Sequence, residues 1–509
     1  MSGAMFDRRG FLGASALGLA ASGCSWLPPR RAVAGGQIRV AGATSSIADT
    51  LDPARQMAVM DYCRCNMFYD GLTRADAQQR AQPALAEAID TRDAKTWTIK
   101  LRKGVRFHDG RPLTPRDVVY SIRRHTDPAV GSKARTFMDQ FADVREWGED
   151  AVRIELVGPN ADLPVILSLP QFKIIRDQTR RFHTANGTGP FRCAEFDPGV
   201  RSLSQRFDDY WRGPVRLGEV ELFAISDESA RINALLSGDV DLIAEVNPRI
   251  APRLVEQGVN LLVSRSGGYT DLVMRLDQAP GRSPEFVRAM KLLLDREAMN
   301  RVIFRNYATI ANDHPIPPYS PYFNADLPQR PYDPDEARSL IRKAGLAGSR
   351  VPMVVSSAAL KSEDMGVLIQ EAASRAGLHI DLRRQPPDGY WANNWMKDAI
   401  GFGNINPRPT PDIIFTQFFA STASWNESGW SDARFDRRLL EARGSTDEAL
   451  RKAIYGEMQA MIHARSGVGI PLFLSMLDAY NPRVKGLRPM PQGGLMAYDF
   501  ASHVWVEDA

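Results

Sequence analysis

Trp97-Thr98-Ile99-Lys100-Leu101-Arg102-Lys103-Gly104-Val105-Arg106-Phe107-His108-Asp109-Gly110 is the stretch on which the fold turns. Apolar and polar side chains alternate from Trp97 to Arg102, the pattern of a strand with one buried face. Lys103-Gly104 and Asp109-Gly110 supply turn chemistry around a short strand expected at Val105-Arg106-Phe107. Thr114-Pro115 then opens a helix to about Arg124, because Thr accepts from the free N–H groups of a first turn and Pro is already shaped for it.

Working outward, Gln37 to Ala41 alternates as a strand, Leu51-Asp52-Pro53 breaks it, and a helix from about Met57 to Tyr69 ends at Asp70-Gly71. Downstream, Val152 to Val157 is a strand, Asn186-Gly187-Thr188-Gly189-Pro190 a turn, and Phe191 starts another strand. Helix 229–237 closes at Gly238 before a buried strand at Val240-Asp241-Leu242-Ile243. The same strand–helix–strand grammar returns as helices 284–295, 334–344 and 363–376 with strands 351–355 and 378–382, so two α/β units flank position 270 or so.

The chain has 509 residues, 44% hydrophobic and 24% charged, which suits about three domains and excludes collagen-like and disordered classes. Its net charge of +4 is spread along the chain, and with no basic stripe nucleic acid is not an expected partner. Residues 1–34 read as export signal and linker. Arg8-Arg9 precede an apolar run, Phe11 to Ala21, too short to span about 30 Å of hydrocarbon. Asp7-Arg8-Arg9-Gly10-Phe11-Leu12 is similar to a twin-arginine signal, placing the protein in the periplasm or on the outer face of the cytoplasmic membrane. Ala21-Ser22-Gly23-Cys24 resembles a lipobox that would lipidate Cys24, in competition with cleavage after Ala34 in Ala32-Val33-Ala34. Cys63, Cys65 and Cys193 read as small buried hydrophobes. No spacing of Cys or His suggests a metal site, and no cofactor is expected.

With Leu113-Thr114-Pro115-Arg116-Asp117-Val118-Val119-Tyr120-Ser121, the opening stretch resembles the signature of the solute-binding proteins of bacterial ABC importers, in the peptide/nickel (family 5, dipeptide/oligopeptide-binding) branch. Gly187 to Phe191, Ala234 to Leu242, Val287 to Glu297 and Tyr332 to Ala337 resemble further blocks in the same order. The resemblance implies an α/β, two-lobed periplasmic-binding-protein fold (type II, large cluster) with an extra small domain inserted in the first lobe. The boundaries it suggests are 35–70 and 186–270 for the first lobe, 71–185 for the insert, 271–480 for the second lobe and 481–509 for the return to the first. It implies capture of an oligopeptide or peptide-like small molecule by a monomer that closes about a hinge and delivers it to an ABC permease and ATPase complex. An opine, a nickel–metallophore or a glycoside as ligand, or a sensor role, are the alternatives. Catalysis finds no support, since the chain has no phosphate loop, nucleophile elbow or His-Glu-x-x-His.

Candidate ligand residues follow from the same comparison. Trp391, Trp395, Trp425 and Trp430 fall close together with Tyr390, Phe402, Phe415, Phe418 and Phe419, a density that suits either an aromatic cleft wall or the core of the second lobe. Tyr390 and Trp391 are the favoured pair, with Phe402 and Asn404 beside them. Peptide binders of the branch usually carry Gly-Trp-x-x-Asp here, the Asp holding the peptide ammonium, whereas Gly401-Phe402-Gly403-Asn404-Ile405 has no acid at that place. Either Asp412 substitutes or the ligand lacks that amine, because a buried ammonium without a carboxylate is costly. Arg408 suits a ligand carboxylate or phosphate. Across the cleft, the first lobe would contribute Ser45, Ser46 and Tyr69. Gly187 and Gly189 read as structural.

Overall fold

The computed structural model describes residues 33–44 and 46–507. A ten-stranded sheet runs through them. At its first-lobe end the strand Gln37–Gly42 pairs in parallel with Glu219–Ala224 and with the two-residue strand Leu242–Ile243, and Arg201–Arg206 and Phe191–Asp197 extend the sheet antiparallel. Gln37–Gly42 is buried along its whole length, as expected for a parallel strand covered on both faces.

Two long strands carry this sheet into the second lobe. Asn260–Met274 spans 15 residues and pairs antiparallel with Leu472–Tyr480; its far end, Tyr269 to Met274, pairs antiparallel with Ile400–Ile405 on its other edge. The register slips between Arg265 and Tyr269, at Ser266-Gly267-Gly268. A bulge there bends Asn260–Met274 midway, which is where two lobes joined by two strands can hinge. The second lobe is completed by the parallel pair Arg350–Val355 and His379–Arg384, the helices Pro284–Leu292, Pro334–Lys343 and Ser362–Arg375 on one core, and Ala433–Gly444 with Glu448–Arg465 on another.

The opening stretch lies in a separate four-stranded antiparallel sheet. Thr96–Leu101 sits between Ala86–Thr91 and Ala151–Leu156, and Phe141–Glu146 closes the outer edge. Trp97, Ile99 and Leu101 enter its core against Val118 and Ile122 of the helix Pro115–Arg123. That helix starts as its sequence indicates. Thr114 and Asp117 form a reciprocal capping box, Asp117 Oδ2 accepting the Thr114 N–H at 2.9 Å and its hydroxyl at 2.7 Å.

Two expected strands are shorter than their sequence pattern. Val105-Arg106-Phe107 makes only an isolated bridge, Arg106 to Pro112, because Phe107 N–H turns back to the Arg111 carbonyl at 2.8 Å. Of Val240 to Ile243 only Leu242 and Ile243 pair; the Asp241 carboxylate takes the Arg39 N–H at 2.9 Å and the Arg483 guanidinium at 2.6–2.8 Å.

Candidate ligand-binding site

A cleft of about 940 Å³ opens between the lobes. Its first-lobe wall is built on the helix Val59–Phe68, which presents Tyr62 and Asn66, on the turn at Asp70-Gly71, and on the segment 488–503. The floor includes Met476 of the strand Leu472–Tyr480, and the second lobe adds Asn406 to Pro409, Gln417 and Trp425.

Part of this wall is held in a costly backbone. Leu495, Met496, Ala497 and Tyr498 have φ of 50°, 57°, 55° and 68°, four successive left-handed residues with side chains, each about 1–2 kcal/mol above the right-handed form. Three contacts stabilise the turn. Asp478 Oδ2 accepts the Leu495 N–H at 2.6 Å, Asn66 donates to the Tyr498 carbonyl at 3.2 Å, and the Tyr498 ring stacks on Tyr62 at 4.9 Å. Asp478 is buried, and burial raises its carboxyl to about 7. Strain of this kind collects where a surface must be presented to a ligand.

The signature blocks are structural. His108 Nε2 lies 2.9 Å from the Gly189 carbonyl, and the His108 N–H donates to the Gly187 carbonyl at 2.8 Å, so two of the blocks touch. The Phe68–Tyr69 backbone packs directly on both glycines. A Cβ at Gly189 would stand 2.5 Å from the Met67 carbonyl oxygen and 2.6 Å from the Phe68 carbonyl carbon, and one at Gly187 would collide with the Phe68 carbonyl. Close approach requires these glycines. Thr188 between them donates to Asp70 at 3.0 Å, alongside Tyr210 at 3.0 Å and the Trp211 indole at 2.8 Å. With three donors Asp70 is fully engaged, although burial still raises its carboxyl above the usual range.

Of the residues singled out in the sequence, Arg408 lines the cleft. Its guanidinium is held in place by Gln417 Oε1 at 2.7 Å and the Asn406 carbonyl at 2.9 Å, and lies over the Phe418 ring. It has no carboxylate partner among the described residues, and burial disfavours its charge. Trp425, part of the aromatic run, joins it on the wall.

The structure places the others elsewhere. Tyr390 is buried in the second-lobe core, its hydroxyl donating to the Phe402 carbonyl at 2.8 Å, and Phe402 lies in the same core. Trp391 is 42% exposed and packs edge-on against Tyr390 and Trp395, off the cleft lining. Asn404 donates to the Tyr269 carbonyl at 3.3 Å and to Thr270 Oγ1 at 3.0 Å, turned toward the sheet. Asp412 does not take the place of an ammonium-binding acid: it is buried, lies off the cleft lining and accepts from Arg443 at 2.7 Å, with burial raising its carboxyl to about 6. Tyr69 is core of the first lobe. Ser46 is exposed and off the cleft, its N–H donating to Asp49 at 2.9 Å. The loop around it is tied inward, through Asp49 to the buried Arg64 and through Asp52 to Arg124. Ser45 and Cys24 lie outside the described residues.

A pair of acids sits beneath Gly403. Asp271 and Glu427 are both buried, and the Trp395 indole donates to Glu427 at 2.6 Å. Burial, with the charge of Glu427 beside it, holds the Asp271 carboxyl well above the carboxylate range, and burial raises Glu427 too. A Cβ at Gly403 would strike both carboxylates, which accounts for the glycine there. Neither acid is on the cleft lining.

Two hinged lobes around a cleft with walls from both define a ligand-binding receptor. The model for the bacterial extracellular solute-binding proteins, family 5, middle region, matches residues 80–426, and the chain belongs to that family, whose members serve ABC importers. It is 25% identical over 456 residues to heme-binding protein A of Haemophilus influenzae, covering 81% of this chain and 82% of the relative. It is also 25% identical over 486 residues to the glutathione-binding protein GsiB of Escherichia coli O6:K15:H31, covering 90% and 93%. Among solved structures, HbpA2 from Haemophilus parasuis superposes with a TM-score of 0.82 at 19% identity, over 93% of this chain and all of that one.

Proposed function

We propose that this receptor captures a peptide-like small molecule in the cleft and hands it to a membrane permease driven by ATPase subunits, acting as a monomer and by binding alone. The cleft carries this reading: its 940 Å³ lies at the upper end of the range for small-molecule sites, and each lobe contributes a wall. A ligand touching both walls favours the closed form by its differential affinity for it. The match to a glutathione-binding relative across 90% of this chain supports a short peptide-like cargo.

On this reading the chain leaves the cytoplasm through a twin-arginine signal at Arg8-Arg9 and is either lipidated at Cys24 or cleaved after Ala34. Changing Arg8-Arg9 to Lys-Lys then traps it in the cytoplasm, and a mass of the mature chain separates the two processing routes.

The direct test is native mass spectrometry of protein purified from its own cell envelope, followed by titration of Arg408→Ala and Trp425→Ala with whatever cargo is released. Both variants should remain folded without cargo and bind it at least tenfold more weakly, for Arg408→Ala the value of one hydrogen bond to a charged group. Unchanged affinity in both removes this cleft as the site.

A further inference from the structure

The charges in the cleft are unequal. Arg74, Lys133, Lys173, Arg212 and Arg488 line it from the first-lobe side and Arg408 from the second lobe, against the acids Asp70, Asp76 and Asp499. The three acids are already engaged. Asp70 takes three donors, Asp76 takes Gln82 at 2.8 Å and two N–H groups of its own turn at 2.9 Å, and Asp499 takes Ser502 at 2.7 Å and His503 at 3.3 Å. None of the six cations has an ion-pair partner among the described residues: Arg74, Lys133, Arg212 and Arg488 are exposed to the cleft, and Lys173 and Arg408 are half-buried at its wall.

We infer that the cargo is a polyanion, with at least one acidic group held by Arg408 and a second by the first-lobe cations. The inference rests on the receptor reading above and narrows it. Three further observations support it. Partial desolvation and the neighbouring Arg212 and Arg488 guanidinium groups lower the proton affinity of Arg74, with Asp499 and Tyr210 only partly offsetting them. Burial likewise lowers the Lys173 ammonium, with Asp70 and Asp499 only partly offsetting it. Anionic cargo would relieve both. Lastly, the second-lobe lining offers Arg408 and neutral groups but no carboxylate, so nothing on that wall recognises a ligand ammonium.

Carboxylate and phosphate share the required chemistry, and a charge-graded panel separates them. N-acetyl-Glu-Glu, its phosphoserine counterpart N-acetyl-pSer-pSer, the uncharged N-acetyl-Gln-Gln-amide and the cationic N-acetyl-Lys-Lys-amide are titrated into the full mature protein by calorimetry at two salt concentrations. The same titrations are run on Arg74→Gln/Arg488→Gln, two exposed side chains for which no hydrogen bond within the fold is seen. One or both anionic probes should bind at least tenfold more tightly than the neutral one, weaken as salt rises, and lose about tenfold in the double variant. The tighter of the two identifies the acid type. Binding indifferent to probe charge, preference for the neutral or cationic probe, or no binding of either anion overturns the inference while leaving the receptor intact. Failure of every probe and of envelope extract to bind would instead count against the receptor reading itself.

Discussion

Asp162→Ala should open the protein. Asp162 belongs to the small domain and reaches Arg451 of the helix Glu448–Arg465 in the second lobe, in an ion pair whose side chains are 3% and 6% exposed. The Ala161 N–H donates to the Arg443 carbonyl at 2.8 Å beside it. Arg451 keeps its other partners without Asp162: the Tyr322 hydroxyl at 2.8 Å, the Ala442 carbonyl at 3.1 Å, and the Tyr322 and Tyr455 rings that flank it. Removing one partner of a buried pair costs about 3–5 kcal/mol, and with this much residual support the lower figure applies. If hinge opening separates the two groups, that sum falls on the closed form, and the closed-to-open ratio drops about 100-fold. Apparent affinity for cargo drops by the same factor once the closed form is no longer dominant. Cargo titration followed by tryptophan fluorescence, with Trp425 in the cleft, reads this directly. A dissociation constant within twofold of wild type, in a variant that is folded, would refute the argument.

Other expected outcomes concern stability. Asp478 has its carboxyl raised to about 7 by burial, so between about pH 4 and pH 7 the folded state holds a proton that the unfolded chain releases. Its contribution is therefore fully present below pH 4 and is lost as pH rises through 7; relative to wild type, Asp478→Asn should gain up to about 4 kcal/mol from pH 4 to pH 8 in urea denaturation. A difference that is flat with pH would contradict the assignment. Gly189→Ala should destabilise the first lobe by about 1–3 kcal/mol or prevent its folding, since the Phe68 backbone must move to admit a methyl group; wild-type urea midpoints would show that the close approach is not needed.

Local chemistry made much of the fold legible. The caps Thr114, Ser283 and Asp333 stand just before the helix starts expected from the sequence, and Gly238, Gly345 and Gly377 follow helix ends in the left-handed region. Alternation identified Thr96–Leu101 and Ala151–Leu156, because each strand has one face on a core. The site was less legible for a physical reason. Aromatic residues between 390 and 430 signal burial before they signal ligand contact, and Tyr390, Phe402, Phe415 and Trp430 fill cores. The cleft cations come from positions 74, 133, 173, 212, 408 and 488, which no sequence window contains; only the tertiary packing of separate loops and lobes brings them together. The left-handed turn at Leu495 to Tyr498 follows Gly493-Gly494 but carries four residues with side chains, so its conformation is legible only from the contacts with Asp478 and Tyr62 that hold it.

Small-angle X-ray scattering of the mature protein, recorded first without ligand and then with the cargo released from its own envelope, tests hinge closure most directly. Closure about Ser266 to Gly268 predicts a smaller radius of gyration with cargo bound, and the same change absent in Asp162→Ala at equal cargo concentration. Superimposable curves for the wild type with and without saturating cargo would contradict it.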